Sequence, residues 1–283
     1  MVEDTLDGKT WTSDDKRKKK RQGSGMFAFL RFNSIHSVVL SAAVLAGAFV
    51  LPVAAQPFEV VEPEVEKGEF EIEVNGAVQT GLPEGDDDEE AVRHAHELAV
   101  GYGLTDFLKI EAGVTLEKEV GEDLQATNFE VEATLELLEQ EESGFGLGFF
   151  AAIEPRIDDE ATDEFEFGPI FAFALGGVQN TANTFFEKSF GKNREEGWGF
   201  AYAWQSKVEL EEGLGIGIEA FGEVEDIGED PPVSEQEHRL GPVVYYDMEV
   251  GEDREIGIAF GVLFGLTEAT PDVAFKWNVE LEL

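Results

Sequence analysis

Val273-Ala274-Phe275-Lys276-Trp277-Asn278-Val279-Glu280-Leu281-Glu282-Leu283 alternates apolar and polar residues with period two. Val273, Phe275, Trp277, Val279, Leu281 and Leu283 fall on one side, and Ala274, Lys276, Asn278, Glu280 and Glu282 on the other. Successive side chains of a β-strand point to opposite faces, so this stretch reads as a strand with one greasy and one charged face. Working back from it, the same alternation recurs as far as Phe70.

Phe70, Ile72 and Val74 oppose Glu69, Glu71, Glu73 and Asn75, and Leu98, Val100, Tyr102 and Leu104 continue the apolar series. Leu108, Ile110, Ala112, Val114 and Leu116 then alternate with Lys109, Glu111, Thr115 and Glu117, and Phe129 to Leu137 with Asn128 to Glu136. Further strands are expected around Phe145–Ile153, Phe165–Leu175, Trp198–Leu210, Leu214–Val224, His238–Val250 and Ile256–Leu266. Thr181–Phe190 gives the poorest alternation. The total is about twelve segments, each of a length that a tilted strand needs to cross a bilayer. Connections alternate in character. Thr105-Asp106, Glu211-Glu212-Gly213 and Gly251-Glu252-Asp253 are short, whereas Gly81–Glu90, Asp158–Glu164, Gly191–Gly197 and Asp226–Gln236 are longer or more charged.

Composition narrows the class. Gly 31 and Phe 23 against Met 3 suit strands and tight turns. Asp+Glu 61 against Lys+Arg 20, a formal charge of -41, excludes an electrostatic nucleic-acid binder. With no Cys there is no disulfide framework, thiolate metal site or cysteine nucleophile.

The N-terminus reads as an address. Ser37–Leu51 is an apolar run behind Arg31 and ahead of Pro52-Val53-Ala54-Ala55, the three parts of a signal peptide over 26–55, and it is shorter than a membrane span requires. Residues 1–25 are a polar extension or precede the true start at Met26. Residues 1–55 hold more bases than acids, so the exported remainder is more acidic still. A short periplasmic lead is expected over 56–68, followed by a barrel over 69–283.

These features converge on an all-β protein: a single antiparallel up-and-down transmembrane β-barrel in a Gram-negative outer membrane. An exposed sheet edge has no water to pair with in lipid, so the first and last strands must close on each other. The alternative is a secreted soluble β-sandwich, which would have to bury Trp198, Phe200, Tyr202, Trp204, Tyr246, Phe264, Phe275 and Trp277 in its core. Aromatic residues on one face suit a lipid-facing band better.

His96-Glu97-Leu98-Ala99-Val100-Gly101-Tyr102-Gly103-Leu104-Thr105-Asp106-Phe107-Leu108-Lys109-Ile110 resembles the Y-G-L-T-D strand-turn-strand of a broad group of Gram-negative outer-membrane barrels. That group includes the transporter-like family named for the meta-cleavage pathway of phenol degradation. His238-Arg239-Leu240-Gly241-Pro242 and Gly265-Leu266-Thr267-Glu268-Ala269-Thr270-Pro271-Asp272 are similar to its closing hairpin. The resemblance implies an outer-membrane barrel that transports small molecules, and it supplies no catalytic or binding residues. Such barrels usually end on an aromatic residue read by the barrel assembly machinery, and this sequence ends on Leu283.

If the apolar face meets lipid, the polar face lines a lumen. The expected lining is Glu71, Glu73, Glu97, Lys109, Glu111, Glu130, Glu132, Glu154, Arg156, Lys207, Glu219, Arg239 and Lys276. Carboxylates predominate, which favours cations over anions in a passage and equally suits a plugged interior. Small solutes or cations are the expected cargo, with outer-membrane lipid and lipopolysaccharide as surroundings. A structural or adhesive surface barrel without transport is the alternative. No cofactor is expected, nor a dedicated metal centre. His94 and His96 share a face but lack further converging ligands, and the acidic loops lack the spacing of a calcium loop. Nor is an enzyme expected, since Ser189, Ser206 and Ser234 lie in no G-x-S-x-G context.

Overall fold

A computed structural model describes residues 57–83, 92–118, 123–140, 144–157, 162–192, 194, 196–250 and 254–283. The signal segment 26–55, the extension 1–25 and parts of the acidic loops lie outside the described residues. Twelve strands follow one another: β1 (Phe70–Thr80), β2 (Val92–Thr105), β3 (Leu108–Lys118), β4 (Gln125–Leu138), β5 (Phe145–Glu154) and β6 (Asp163–Leu175). Then come β7 (Val178–Phe190), β8 (Gly199–Glu211), β9 (Leu214–Val224), β10 (Glu237–Glu249), β11 (Glu255–Gly265) and β12 (Val273–Glu282). Each pairs antiparallel with its neighbours in sequence, and β1 pairs with β12 from Glu71↔Glu282 to Thr80↔Val273, closing the barrel. Closure extends one residue further, where the Leu283 N–H donates to the Phe70 carbonyl (2.9 Å) and the Phe70 N–H to that of Leu283 (3.2 Å).

Alternation sets the two faces. In β2, Arg93, Ala95, Glu97, Ala99, Gly101 and Gly103 are buried, while Leu98, Val100, Tyr102 and Leu104 are exposed. Large apolar side chains stand exposed around the outside, among them Phe129, Ile153, Trp204, Ile218, Tyr246, Phe260, Phe264 and Phe275. A continuous apolar surface of this kind suits lipid rather than water. This closed, outwardly apolar sheet displaces the β-sandwich alternative.

Three of the five turns on the side of Phe70 and Leu283 are tight. Leu175↔Val178 encloses only Gly176 and Gly177, both with positive φ (58° and 86°), the backbone of the two-residue hairpin whose twist matches that of the strands. Thr105↔Leu108 and Glu211↔Leu214 are equally short. Connections at the opposite end are longer than these three, as the sequence pattern implies.

Two Gly-Pro steps interrupt the ladders. Gly168-Pro169 in β6 and Gly241-Pro242 in β10 leave gaps in the pairing with β7 and β11, because proline has no N–H to donate. The neighbouring backbone closes in on each glycine: a Cβ on Gly168 would lie 1.9 Å from the Thr184 carbonyl oxygen, and one on Gly241 1.8 Å from that of Val262. Gly168→Ala or Gly241→Ala must therefore push two strands apart, at a cost of about 1–3 kcal/mol. The expected result is loss of the compact, fast-migrating form in unboiled gel samples at lower temperature than for the unsubstituted protein; equal thermal resistance would contradict this account of the glycines.

Candidate functional site

The segment expected to be a periplasmic lead instead runs inside the barrel. Phe58 is buried in a cluster with Ala77, Ala203, Phe221, Leu263 and Ala274, joined by Val60, and the Arg239 guanidinium lies over its ring at 4.3 Å. Val61 packs on a second cluster of Phe150, Ala152, Ile170 and Phe185. Its backbone is held as a strand would hold it: the Val61 N–H donates to Asn183 Oδ1 (2.9 Å), and Asn183 Nδ2 donates to the Val61 carbonyl (2.8 Å). Asn75 Nδ2 donates to Glu59 (2.7 Å), and the Val65 N–H to Glu136 (3.3 Å). At the exit, the Gly68 N–H donates to the Gly103 carbonyl (2.8 Å), and the Gly103 N–H to that of Glu69 (3.0 Å). The physical reason is plain in the residues. Phe58, Val60, Val61, Pro63 and Val65 are apolar and burying them is favourable, and the alanines and glycines on the inner wall leave room for them.

The structure places Glu71, Glu73, Glu97, Lys109, Glu111, Glu130, Glu132, Glu154, Lys207, Glu219, Arg239 and Lys276 on inward-pointing positions of their strands. Arg156, just after β5, is bridged to Asn128 and reaches Glu117 and Glu164, each at 3.9 Å. The bases gather carboxylates. Lys276 meets Glu219 at 2.5 Å with both side chains fully buried, and Tyr245 also donates to Glu219 (2.8 Å). Lys109 pairs with Glu71 (2.7 Å), Lys207 with Asp247 (3.0 Å), and Arg239 with Glu237. Such pairs are costly to break because the remaining charge would stay buried.

Beside the lead lies a cavity of about 380 Å³, bounded by Glu59–Glu66 on one side and by the inner faces of β1, β3 and β8 to β12 on the other. Carboxylates outnumber its three lysines, Lys109, Lys207 and Lys276. Among the described residues, two groups of three carboxylates converge within 4.8 Å: Glu71, Glu73 and Glu280; and Glu97, Glu130 and Glu132. Burial, and then the carboxylates of Glu73, Glu132, Glu111 and Glu97, push the Glu59 carboxyl well above its ordinary range. His94 and His96 point away from this interior. His96 packs on the Trp277 ring at 5.5 Å, whereas Glu97 faces inward, so the two histidines and Glu97 do not form one site.

The sequence pattern marked the lead but not its place inside the barrel, nor the amides that receive it. Asn75, Asn183 and Asn278 sit at inward strand positions where asparagine is otherwise unfavourable, and Asn278 donates to both Asn75 (2.8 Å) and the Phe58 carbonyl (3.4 Å). The poor alternation of Thr181–Phe190 has the same origin. Asn183 and Phe185 face inward to hold Val61, while Asn180 faces outward and accepts from Ser206 (2.8 Å).

No protein-family model matches the chain, and no curated protein sequence matches it. Among solved structures, an outer membrane channel from Pseudomonas putida F1 superposes with a TM-score of 0.57 at 13% identity, over 80% of this chain and 98% of that one. The NanC porin gives a TM-score of 0.49 at 7% identity, over 75% and 98%. The translocator domain of the autotransporter NalP from Neisseria meningitidis gives 0.46 at 10% identity, over 87% and 95%. The first of these likenesses shows the fold: this chain is built as a closed barrel of the kind found in outer-membrane channels.

Two expectations concern the lead. Asn183→Leu keeps the number and branching of side-chain heavy atoms but removes both partners of the Val61 backbone, weakening docking by about 2–3 kcal/mol. A nitroxide on Glu64→Cys, the only thiol in a chain without cysteine, should become more mobile in that background by electron paramagnetic resonance; an unchanged spectrum would contradict the role given to Asn183. The second concerns pH. A carboxyl raised in the docked state favours docking when protonated, and this contribution fades as pH climbs through and above the ordinary carboxylate range of about 4–5. Around Glu59 stand Asn75 and Glu73 of β1, Glu97 of β2, Glu111 of β3 and Glu132 of β4, with no compensating base among the causes of its shift. The same label should therefore loosen with rising pH, and less so in Glu59→Gln; equal pH dependence in both would remove Glu59 as the cause.

Proposed function

We propose that this protein is a passive channel for small solutes in the Gram-negative outer membrane, cation-preferring and partly occupied by its own N-terminal lead. The observation that carries this reading is the carboxylate-rich cavity running beside Glu59–Glu66, where negative potential concentrates cations and repels anions. Lys109, Lys207 and Lys276 are each matched to a carboxylate, so they offset little of the remaining acid. The exposed apolar belt and the likeness in fold to an outer membrane channel support the location. Delivery by a signal peptide over 26–55, insertion by the barrel assembly machinery and a surrounding of lipopolysaccharide belong to the same reading, which is non-catalytic. The likeness to the phenol-degradation transporter group bears on the class of cargo, small molecules, and names none.

One observation favours a second reading. The lead runs inside the barrel and is anchored at Phe58, Val61, Val65 and Gly68, as a purely structural or adhesive barrel would tolerate. Planar-bilayer recordings separate the two. The channel reading expects small conductance steps from the full chain, larger steps after deletion of 57–66, and a reversal potential in a KCl gradient displaced toward potassium. Absence of conductance in both forms would leave the structural barrel, and anion preference would overturn the lumen reading.

A further inference from the structure

Glu97 of β2 is 5% exposed, and its Oε1 has no hydrogen-bond partner among the described residues. A buried carboxylate oxygen in this state has lost its water without gaining a donor, which is costly. Two more carboxylates, from Glu130 and Glu132 of β4, converge with that of Glu97, and one oxygen from each of the three lies within 4.8 Å of the others.

The strands that carry these groups are not neighbours, because β3 lies between them. Gly113 of β3 makes the approach possible. It pairs with Ala99 on one side and with Glu130 on the other, and a Cβ there would lie 2.6 Å from Glu97 Oε1. The missing side chain leaves a window through which the Glu97 carboxylate lies over β3 toward β4. The next inward position toward the tight-turn end, Glu111, is paired directly with Glu132, an arrangement of like charges that is unfavourable unless something positive intervenes. Lys109, on the same face, is taken by Glu71 at 2.7 Å.

The three groups that converge here are all carboxylates, the donor type of a hard divalent cation. Two oxygens on one calcium ion at about 2.4 Å each can stand at most about 4.8 Å apart, which the trio satisfies. The other group, Glu71, Glu73 and Glu280, differs in that the Lys109 ammonium already bonds Glu71 at 2.7 Å.

We propose that Glu97, Glu130 and Glu132 bind one calcium-class divalent cation inside the barrel, bridging β2 to β4 across the window left by Gly113. The site stands whether or not the barrel conducts. A cation there also offsets the repulsion that Glu97 and Glu132 exert on Glu59, so it ties the docking of the lead to the divalent ion.

The test uses the full chain in detergent, stripped with chelator and titrated with calcium chloride alone by calorimetry. One site per chain is expected to stand clear of weak binding by surface acids. Glu97→Gln, which removes charge at constant shape, and Gly113→Ala, which displaces Oε1 without touching charge, should each weaken it at least tenfold. Glu280→Gln should leave it intact. Heat-modifiable migration reports whether each variant is folded, and if Gly113→Ala is not, Glu97→Gln carries the test by itself. Calcium should also reduce the mobility of the Glu64→Cys nitroxide, and not in Glu97→Gln. Failure to find a site above the weak background, a titration unchanged by Glu97→Gln, or loss of the site in Glu280→Gln would each overturn the proposal.

Discussion

The ladder between β1 and β12, from Glu71↔Glu282 to Thr80↔Val273, removes the last free edge of the sheet. In hydrocarbon an unpaired N–H or C=O costs several kcal/mol, so a sheet with a greasy outer face has no stable open form. Once closure is imposed, the alternation of side chains leaves one face outside and one enclosed. Apolar residues such as Val100, Phe129 and Phe275 take the outside, and the charged set is forced inward.

Enclosing so many carboxylates creates a second problem, which the chain meets in several ways. Buried or half-buried pairs such as Lys276 with Glu219 and Lys109 with Glu71 neutralise some of them. Alanine, glycine and a few large apolar side chains, including Phe150, Phe185 and Phe221, make parts of the inner wall receptive to the lead. The lead then covers the apolar patches, and inward asparagines complete its backbone hydrogen bonds. Structure inside the barrel thus follows from the same accounting of polar groups as structure of the wall.

Much of the wall was legible in the residues. Val273–Leu283, Leu108–Leu116 and Leu214–Val224 alternate cleanly because one face is the apolar outside of the barrel and the other is turned inward, and their observed limits differ little from those read from the pattern. Thr181–Phe190 was blurred for a reason local to it, the inward Asn183 and Phe185 that serve the lead. The lead itself left only a faint signal, apolar residues at Phe58, Val60, Val61 and Val65 among acids, because a segment of this length carries no periodicity that says what it packs against.

By itself, the sequence determined the strands, their faces, the need for closure and the sign of the charge turned into the barrel, since these depend on period two and composition alone. Only the tertiary structure decided which inward residues meet. Glu97 and Glu130 are separated by a strand, and Phe58 is far along the chain from Leu263, so their meeting depends on register, on the absent side chain of Gly113 and on the path of the lead through the lumen. Those are products of closing the sheet into a ring, and no local pattern encodes them.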